Sequence, residues 1–216
     1  MDKRLKIIKL IEKQVKEFKI PWVTEVAKED KDPYLVLISC ILSLRTKDKT
    51  TDEASRRLFK VADNPKKMIK LAASRIQKLI YPVGFYRNKA KVILGISKRL
   101  IEDFSGLVPK KLEDLLSLKG VGRKTANLVL GLGYKIPAIC VDTHVHRISN
   151  RLGWVRTKNP EQTEEALQKI IPKSHWIKLN TILVAFGQNL CVPISPYCST
   201  CSVYNFCRRI RVKRFR

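Results

Sequence analysis

The chain has 216 residues, 44% of them hydrophobic, so it is long enough to bury a core and too apolar to be disordered. It carries 44 Lys and Arg against 19 Asp and Glu, a formal net charge of +25, which predicts a polyanionic partner such as nucleic acid. Its longest apolar stretch, Tyr34 to Leu44, is too short to cross a bilayer, and no secretory signal opens the sequence, so we expect a cytoplasmic protein.

Helical signals begin at once. Apolar residues recur every three or four positions from Leu5 to Phe18, which predicts a first amphipathic helix. Ser74 and Gln77 form a capping-box pattern that predicts another start. A polar cap followed by proline marks three more starts, Asp32-Pro33, Asn64-Pro65 and Asn159-Pro160.

These signals predict further helices along most of the remaining chain. Their expected bounds are near 34–45, 50–60, 65–71, 75–81, 87–103, 111–117, 123–132, 143–152, 160–171 and 174–187. No segment shows the alternation of a half-buried strand, and only Ile136 to Val141 is ambiguous. The predicted fold class is therefore all-α.

The segment from Leu112 to Leu130 predicts two helices joined by a tight glycine turn. Gly120 and Gly122 permit backbone angles closed to other residues and allow close approach to a ligand, while Val121 can pack between the helices. The amides from Gly120 to Lys124 would lie at a helix N-terminus, which suits a phosphate. A plain packing corner between two helices is the alternative.

Four of the six cysteines crowd into seventeen residues, with six, two and five residues between successive thiols. Clustered thiolates in a reducing compartment indicate a soft metal site, either tetrahedral zinc or an iron–sulfur cluster. The other two, Cys40 and Cys140, lie in apolar runs and are expected to be buried. The candidate ligands are Cys191, Cys198, Cys201 and Cys207.

The sequence resembles the endonuclease III family of helix-hairpin-helix DNA glycosylases over nearly the whole chain. The hairpin signature Leu-x-Gly-Val-Gly-Arg-Lys-Thr-Ala-Asn ends at Asn127, and Val-Asp-Thr-His-Val-x-Arg-x-x-Asn-Arg follows from Val141 at the family's spacing. Two shorter matches lie at 42–48 and at 83–86, the latter with Lys89-Ala90. The cysteine spacing also matches the family's four-iron four-sulfur loop.

The family places its catalytic lysine and aspartate at positions that fall on Lys124 and Asp142 here. A neutral amine can attack the sugar C1′, and a carboxylate can take a proton or stabilise the positive charge that develops on the sugar. From the residues alone, Lys124 could instead bind a phosphate, and Asp142 could be only the N-cap of a helix beginning at Thr143.

The resemblance also implies a domain organisation and a cofactor. A six-helix domain would span 25–134 and end in the hairpin, while 1–24 and 135–216 would form a domain holding a 4Fe-4S cluster. In the family, the loop between the first two cluster ligands carries basic residues that touch DNA. Here that loop, 192–197, has no charge, and we expect the six Lys and Arg of 208–216 to be a frayed, solvated tail with a nonspecific attraction to phosphates.

Further DNA contacts are implied by position. Arg45 stands where bacterial relatives commonly place a glutamine that fills the gap left by a flipped base, with a surface arginine on phosphate as the alternative. Phe85 matches a wedge position, although a core phenylalanine would look the same in sequence. His144 falls in the Asp-Thr-His motif and is expected to organise the pocket. The hairpin itself would contact DNA through Gly120, Val121, Gly122 and Arg123.

The implied activity is that of a bifunctional DNA glycosylase and AP lyase. It would excise oxidised pyrimidines from duplex DNA and nick the strand by β-elimination, as a monomer acting on damaged bases and abasic sites. Adenine and mismatched-thymine glycosylases share the hairpin and cluster loop but usually lack the lysine found here as Lys124. A noncatalytic helix-hairpin-helix DNA-binding protein is the alternative outside the enzymes, and it is compatible with the charge of +25.

Overall fold

The computed structural model describes residues 2–29 and 32–216. Over those residues it contains twelve α-helices and no strand, which confirms the all-α prediction. A π-helical segment spans Val129–Gly133, and 3-10 turns span Lys173–His175 and Tyr204–Phe206. The α-helices are α1 Lys3–Gln14, α2 Trp22–Glu29, α3 Pro33–Ser43, α4 Asp48–Phe59, α5 Pro65–Met68, α6 Ala73–Ile80, α7 Tyr86–Phe104, α8 Leu112–Ser117, α9 Arg123–Leu128, α10 Thr143–Leu152, α11 Pro160–Ile170 and α12 Trp176–Asn189.

The chain divides into two compact units. The hairpin unit comprises Trp22–Ile136, and the cysteine unit comprises Met1–Pro21 together with Pro137–Arg216. Throughout the described ranges, no helix combines the length and the apolar composition that a membrane span requires.

In the hairpin unit, α3 is the central helix. Its residues from Tyr34 to Leu42 are all buried, because the helix is apolar on every side. It packs against α2, α4, α7, α9 and the π segment. The hairpin is therefore built directly onto the most buried helix of its unit.

In the cysteine unit, α10 and α12 form the main packing pair, and α1 packs on α12. Ile8 and Ile11 of α1 meet Val145 and Ile148 of α10 in one apolar cluster, with Phe186 of α12. The spacing of Ile8 and Ile11 is the periodicity that predicted this helix. The N-terminal segment thus completes the core of a unit whose other residues all lie after position 136.

The three proline-marked helix starts are confirmed. Asp32, Asn64 and Asn159 are N-caps, and their side chains accept hydrogen bonds of 2.7, 3.0 and 2.9 Å from backbone N–H groups two or three residues later. These bonds satisfy donors that the first turn of a helix leaves unpaired.

The capping box at Ser74 is wrong. Helix α6 begins at Ala73 with Ala72 as its N-cap, so Ser74 already lies inside the first turn. Helix α2 was not predicted, because it is short and lacks the polar cap before proline that marks the other starts. Trp22, Val23 and Val26 are buried there, and α2 packs on α3, so tertiary packing rather than local signals stabilises this helix.

The expectation of a frayed tail is also wrong. Segment 208–216, named here the basic strap, is hydrogen-bonded at both ends. The N–H of Ile210 donates to the carbonyl of Arg151 at 3.2 Å, and the N–H of Arg216 donates to the carbonyl of Pro196 at 2.9 Å. A run of like charges is held in place because backbone groups far away in sequence accept its N–H donors.

Candidate functional site

The glycine turn joins α8 to α9 as the sequence predicted. Gly120 has φ +92°, which a residue with a Cβ rarely adopts, and an added Cβ would lie 2.7 Å from Cγ1 of Val92. Val121 is buried, and its N–H donates to the carbonyl of Leu118 at 2.9 Å. Gly122 is the extended N-cap of α9.

The turn exposes its cationic side. Gly122, Arg123 and Lys124 are all exposed, and the first N–H groups of α9 have no acceptor within the helix itself. An added Cβ at Gly122 would meet nothing within 4 Å. Backbone donors, a guanidinium and an ammonium are therefore presented together at one accessible helix start, an arrangement that suits phosphate.

The charge of Lys124 also acts inward, on Cys40 of α3. Burial raises the pKa of the Cys40 thiol to about 12, and the Lys124 charge opposes part of that rise. Cys40 is 1% exposed, as expected for a buried cysteine. The side chain of Lys124 is thus exposed at the hairpin and also close to the central helix.

Asp142 lies in the cysteine unit and is the N-cap of α10. Its Oδ1 accepts hydrogen bonds from the N–H groups of His144 and Val145, both at 2.9 Å. The capping role considered from sequence is therefore real. Both bonds use the same carboxylate oxygen, so capping does not require Oδ2, and the cap fixes the orientation of the carboxylate.

His144 lies against α12 rather than pointing away from the unit. Its Nδ1 is 3.1 Å from Nη2 of Arg147. A Cβ added to Gly187 would lie 2.5 Å from the same Nδ1 of His144. Gly187 is therefore needed for the close packing of the Asp-Thr-His segment on α12. A DNA contact by His144 stays a prediction.

The four clustered cysteines line one pocket of the cysteine unit. The pocket is partly open, with a cavity volume of about 20 Å³. Its other lining residues are mainly apolar, with two arginines: Ile148, Arg151, Leu152, Phe186, Leu190, Pro196, Tyr197, Val203, Tyr204, Arg209 and Val212. The structure thus brings together the four thiols that the sequence singled out.

The thiols of this pocket influence one another. Burial, with a smaller contribution from the nearby Cys207, Cys191 and Cys198, raises the pKa of Cys201 to about 11. Even so, across residues 2–29 and 32–216 no three His, Cys, Asp or Glu side chains are grouped as ligands of a single metal ion. Four thiols are a donor set that either tetrahedral zinc or an iron–sulfur cluster can use.

Two arginines of α10 hold the first cysteine in place, and sequence analysis assigned them no role. Arg147 donates to the carbonyls of Gly187 at 3.1 Å and Cys191 at 2.9 Å. Arg151, 8% exposed, donates to the carbonyl of Val192 at 2.7 Å and lies 3.4 Å from Sγ of Cys191. The available signal in the sequence was their spacing of four residues, which places both on one face of the helix that Asp142 caps.

Arg45 and Phe85 meet on the surface of the hairpin unit. Both have positive φ, 52° and 58°, and the guanidinium carbon of Arg45 lies 5.6 Å from the centroid of the Phe85 ring. Phe85 is 63% exposed, so the alternative of a core phenylalanine is wrong. Two loops distant in sequence thus present an aromatic ring and a cation side by side.

Lys89 fixes one of these loops and joins it to the other, a role that the sequence did not reveal. It is 5% exposed, and its Nζ donates to the carbonyls of Leu42 and Leu44, at 2.8 and 2.5 Å, and to Oγ1 of Thr46 at 3.1 Å. The same hydroxyl accepts the N–H of Gly84 at 3.2 Å. Lysine is almost never buried without partners, so the burial of Lys89 on α7, visible only in the structure, is what indicates this role.

Comparisons with known proteins agree with this geometry. A family model described as HhH-GPD superfamily base excision DNA repair protein matches residues 38–173. The chain is 50% identical over 183 residues to endonuclease III of Thermotoga maritima, covering 85% of this chain and 86% of that one. Plant and vertebrate relatives are longer, and the chain spans 47% of one from Arabidopsis thaliana and 63% of one from Gallus gallus.

Solved structures show the same likeness. A non-covalent endonuclease III–DNA complex superposes with a TM-score of 0.82 at 32% identity, covering 97% of this chain and 96% of that one. A trapped endonuclease III–DNA covalent intermediate, an estranged-adenine complex, gives 0.78 at 37% identity, covering 82% and 84%.

The helices of the described residues, joined at the glycine hairpin, place the chain in the class of helix-hairpin-helix proteins, here with a four-cysteine loop. The chain belongs to the HhH-GPD superfamily of base excision DNA repair proteins, and within it to the endonuclease III family. The family resemblance proposed from sequence is confirmed.

The hairpin geometry predicts unequal effects for its two glycines. Gly120→Ala should lower the free energy of unfolding by at least about 1 kcal/mol, because alanine is strained at positive φ and its Cβ overlaps Val92. Gly122→Ala is the matched control and should change it by less than about 1 kcal/mol, since its φ of −95° is open to alanine. Urea unfolding of both variants measures the difference, and equal losses would contradict the assignment of Gly120 to the strained position.

Lys89 predicts a pH dependence of stability. Burial lowers the pKa of Lys89 to about 8, so between that pH and about 10.4 the folded chain holds neutral Lys89 while the unfolded chain still binds the proton. Its contribution to the free energy of unfolding should therefore rise with pH there, by up to about 1.4 kcal/mol per unit.

The measurement is urea unfolding at pH 8 and above, compared with Lys89→Met. The wild type should become more stable relative to Lys89→Met as pH rises. Lys91→Met, an exposed lysine on the same helix, should show no such trend. Parallel curves for wild type and Lys89→Met would mean that Lys89 keeps its ordinary protonation in the fold.

Proposed function

We propose that this chain is a bifunctional DNA glycosylase and AP lyase that excises oxidised pyrimidines from duplex DNA in base excision repair. The observation that carries the proposal is the exposed amine of Lys124 at the first turn of α9, directly after the glycine turn. Its support from relatives is membership of the endonuclease III family and likeness to structures of endonuclease III on DNA, one of them a covalent intermediate.

Base release and strand cleavage follow from one nucleophile. The damaged nucleotide must leave the base stack, because C1′ is otherwise inaccessible. The neutral amine of Lys124 bonds to C1′ while the base departs with the electron pair of the glycosidic bond and a proton. Opening of the sugar ring leaves an imine, loss of a C2′ proton then expels the 3′ phosphate, and water finally releases the lysine.

Asp142 supplies the charge that this reaction needs. A glycosidic bond that breaks leaves positive charge on the sugar, which a preorganised carboxylate stabilises, and the same carboxylate can accept the proton of the attacking amine. Its two hydrogen bonds from the start of α10 hold it in one orientation. Capping and catalysis are therefore compatible roles for this residue.

Several further residues are assigned to DNA binding. The glycine turn with Arg123 would bind a phosphate, and the exposure of Arg123 supports this. Arg45 and Phe85 would enter the gap left by the flipped nucleotide, as their adjacent exposed positions allow. His144 would organise the pocket by positioning Arg147 and the start of α10.

The four cysteines would hold a 4Fe-4S cluster. When bound, such a cluster cross-links four points of the cysteine unit and adds a negatively charged group beside Arg151 and Arg209. The reacting residues lie elsewhere in the sequence, so its role is structural. We further propose that 25–134 is the domain that ends in the hairpin, built from most of α2 and from α3 to α9 rather than from six helices, and that 1–24 with 135–216 is the cluster domain. The two compact units support this division.

A monomer is the simplest form of this enzyme. Because its substrate is DNA, the cytoplasm, or the nucleoid of a prokaryote, is its proposed location. Adenine or mismatched-thymine glycosylase activity is the alternative within the enzymes, and Lys124 argues against it because those relatives usually lack the lysine. A noncatalytic DNA-binding protein could use this amine only to bind phosphate and would not form an imine with an abasic site.

The nucleophile is tested by trapping the imine. Borohydride should reduce it to a stable protein–DNA adduct in the wild type, and Lys124→Gln should abolish both trapping and strand cleavage. DNA binding should survive, because glutamine leaves the hairpin backbone intact. Asp142→Asn should slow base release strongly but keep some cleavage at a preformed abasic site, where no glycosidic bond needs breaking.

Lys89→Met is the matched control for this experiment, since it removes an amine that is already buried and hydrogen-bonded. It should still trap a preformed abasic site. Trapping by Lys124→Gln at the wild-type rate would mean that another amine is the nucleophile and that the assignment is wrong.

The cluster predicts a metal content. Protein purified without oxygen should be brown and carry about four irons per chain. Cys201→Ser should lose most of this iron, because one of four ligands is gone. Cys140→Ala, a buried cysteine of the same unit that is outside the pocket, should keep it. Stoichiometric zinc without iron in the wild type would overturn the cluster assignment.

A further inference from the structure

The basic strap, residues 208–216, concentrates charge that nothing around it neutralises. From Cys191 to Arg216 the sequence has six Lys and Arg and no Asp or Glu. Over the described chain, no strap side chain takes part in an ion pair. Five of the six cations are exposed, namely Arg208, Arg211, Lys213, Arg214 and Arg216. The strap therefore presents five positive charges at the surface.

The strap is also docked. The backbone of Arg216 makes two hydrogen bonds of 2.9 Å, donating to the carbonyl of Pro196 and accepting from the N–H of Ser199. Its guanidinium carbon lies 4.0 Å from the centroid of the Tyr197 ring, and its Nε donates to the carbonyl of Ser195 at 3.1 Å. One end of the strap is thereby joined to the loop between the first two cysteines.

Two rings and two unusual backbone angles complete the docking. Phe215 packs edge-on against Tyr204, with ring centroids 6.0 Å apart. Arg209 and Arg211 have φ values of 52° and 62°. Residues other than glycine keep this backbone conformation when surrounding contacts hold it. A freely solvated polycation would have no reason to hold such angles, so this conformation belongs to a defined surface.

The docking places cations over a neutral loop. Arg211, Lys213 and Arg214 line the same surface depression as Pro193, Ile194 and Ser195. The loop 192–197 has no charged residue of its own. Charge that is absent from the loop is thus supplied by a segment that follows the last cysteine.

We propose that the basic strap is a preformed phosphate-binding surface that contacts the backbone of duplex DNA. The inference rests on the proposed function only for its partner, DNA. Guanidinium and ammonium groups fixed along a surface match a row of phosphates, and each phosphate contact releases condensed counterions. The contacts carry no sequence information, so the strap adds affinity for damaged and undamaged duplex alike.

Salt dependence of binding to undamaged duplex tests the charge. The variant Arg211→Gln, Lys213→Gln, Arg214→Gln should flatten the slope of log affinity against log salt by up to about 2.7, for three lost contacts. Affinity at moderate salt should fall at least about tenfold. The control is Lys16→Gln, Lys158→Gln, Lys169→Gln, which removes the same charge from exposed sites of the same unit. Equal slopes for both triple variants would overturn the proposal.

A charge-neutral variant tests the docking. Phe215→Ala keeps all six cations but removes the contact with Tyr204, so affinity should fall several-fold if the strap binds as a fixed surface. Leu107→Ala, an exposed apolar residue of the hairpin unit, should have no effect. Unchanged binding by Phe215→Ala would mean that the segment acts as a flexible polycation, and the preformed surface would be rejected.

Trapping separates this proposal from the proposed function. The strap variants should keep wild-type single-turnover trapping at saturating DNA in low salt, because the strap contains no reacting group. If the wild type formed no trapped adduct, the proposed enzymatic function would be rejected. The salt slopes on undamaged duplex would still test whether the strap binds phosphates. Loss of trapping by the strap triple variant on saturated DNA would contradict a purely binding role.

Discussion

The shortage of carboxylates constrains how this protein is built. With 44 Lys and Arg and 19 Asp and Glu, most cations cannot be paired with an acid. Those that the fold uses internally take carbonyl oxygens instead. Lys89 donates to two carbonyls at the end of α3, and Arg57 donates to those of Leu79 and Tyr81. Arg147 and Arg151 donate to carbonyls that follow α12. A carbonyl satisfies the donor but leaves the net charge in place, so structural cations still add to the positive field that attracts a polyanion.

Helix α10 shows how one element can serve two purposes under this constraint. Its first turn is capped by Asp142, and one and two turns further on, Arg147 and Arg151 reach the carbonyls and the sulfur at the first cysteine. The proposed catalytic carboxylate and the proposed cluster ligand are thus connected through a single rigid helix.

Lys124 and Lys89 show how burial gives the same residue type opposite uses. Lys124 is exposed at the start of α9, where a substrate can reach its amine. Lys89 is 5% exposed, and its three acceptors occupy the ammonium donors, so it holds a loop in place and cannot attack a substrate. Position in the fold, not the side chain itself, separates the proposed nucleophile from the lysine that holds the loop.

The sequence by itself determined those features whose interactions span only a few residues. The N-caps at Asp32, Asn64 and Asn159 each bond a backbone N–H two or three residues away, and the Gly-Val-Gly turn needs only its own backbone angles. Cysteine spacing likewise indicated a soft metal site before any fold was known. Helical periodicity then excluded a sheet, because an apolar stripe every three or four residues cannot face one side of a strand.

Tertiary structure alone decided the features whose partners lie far along the chain. Helix α2 depends on burial against α3, and α6 begins before Ser74 despite the local capping pattern. The strap docks through the carbonyl of Arg151, nearly sixty residues earlier. Its local charge pattern gave no sign of this partner and therefore predicted a frayed tail. Local patterns report only local free energies, whereas a long-range hydrogen bond forms only after the fold has brought its donor and acceptor together.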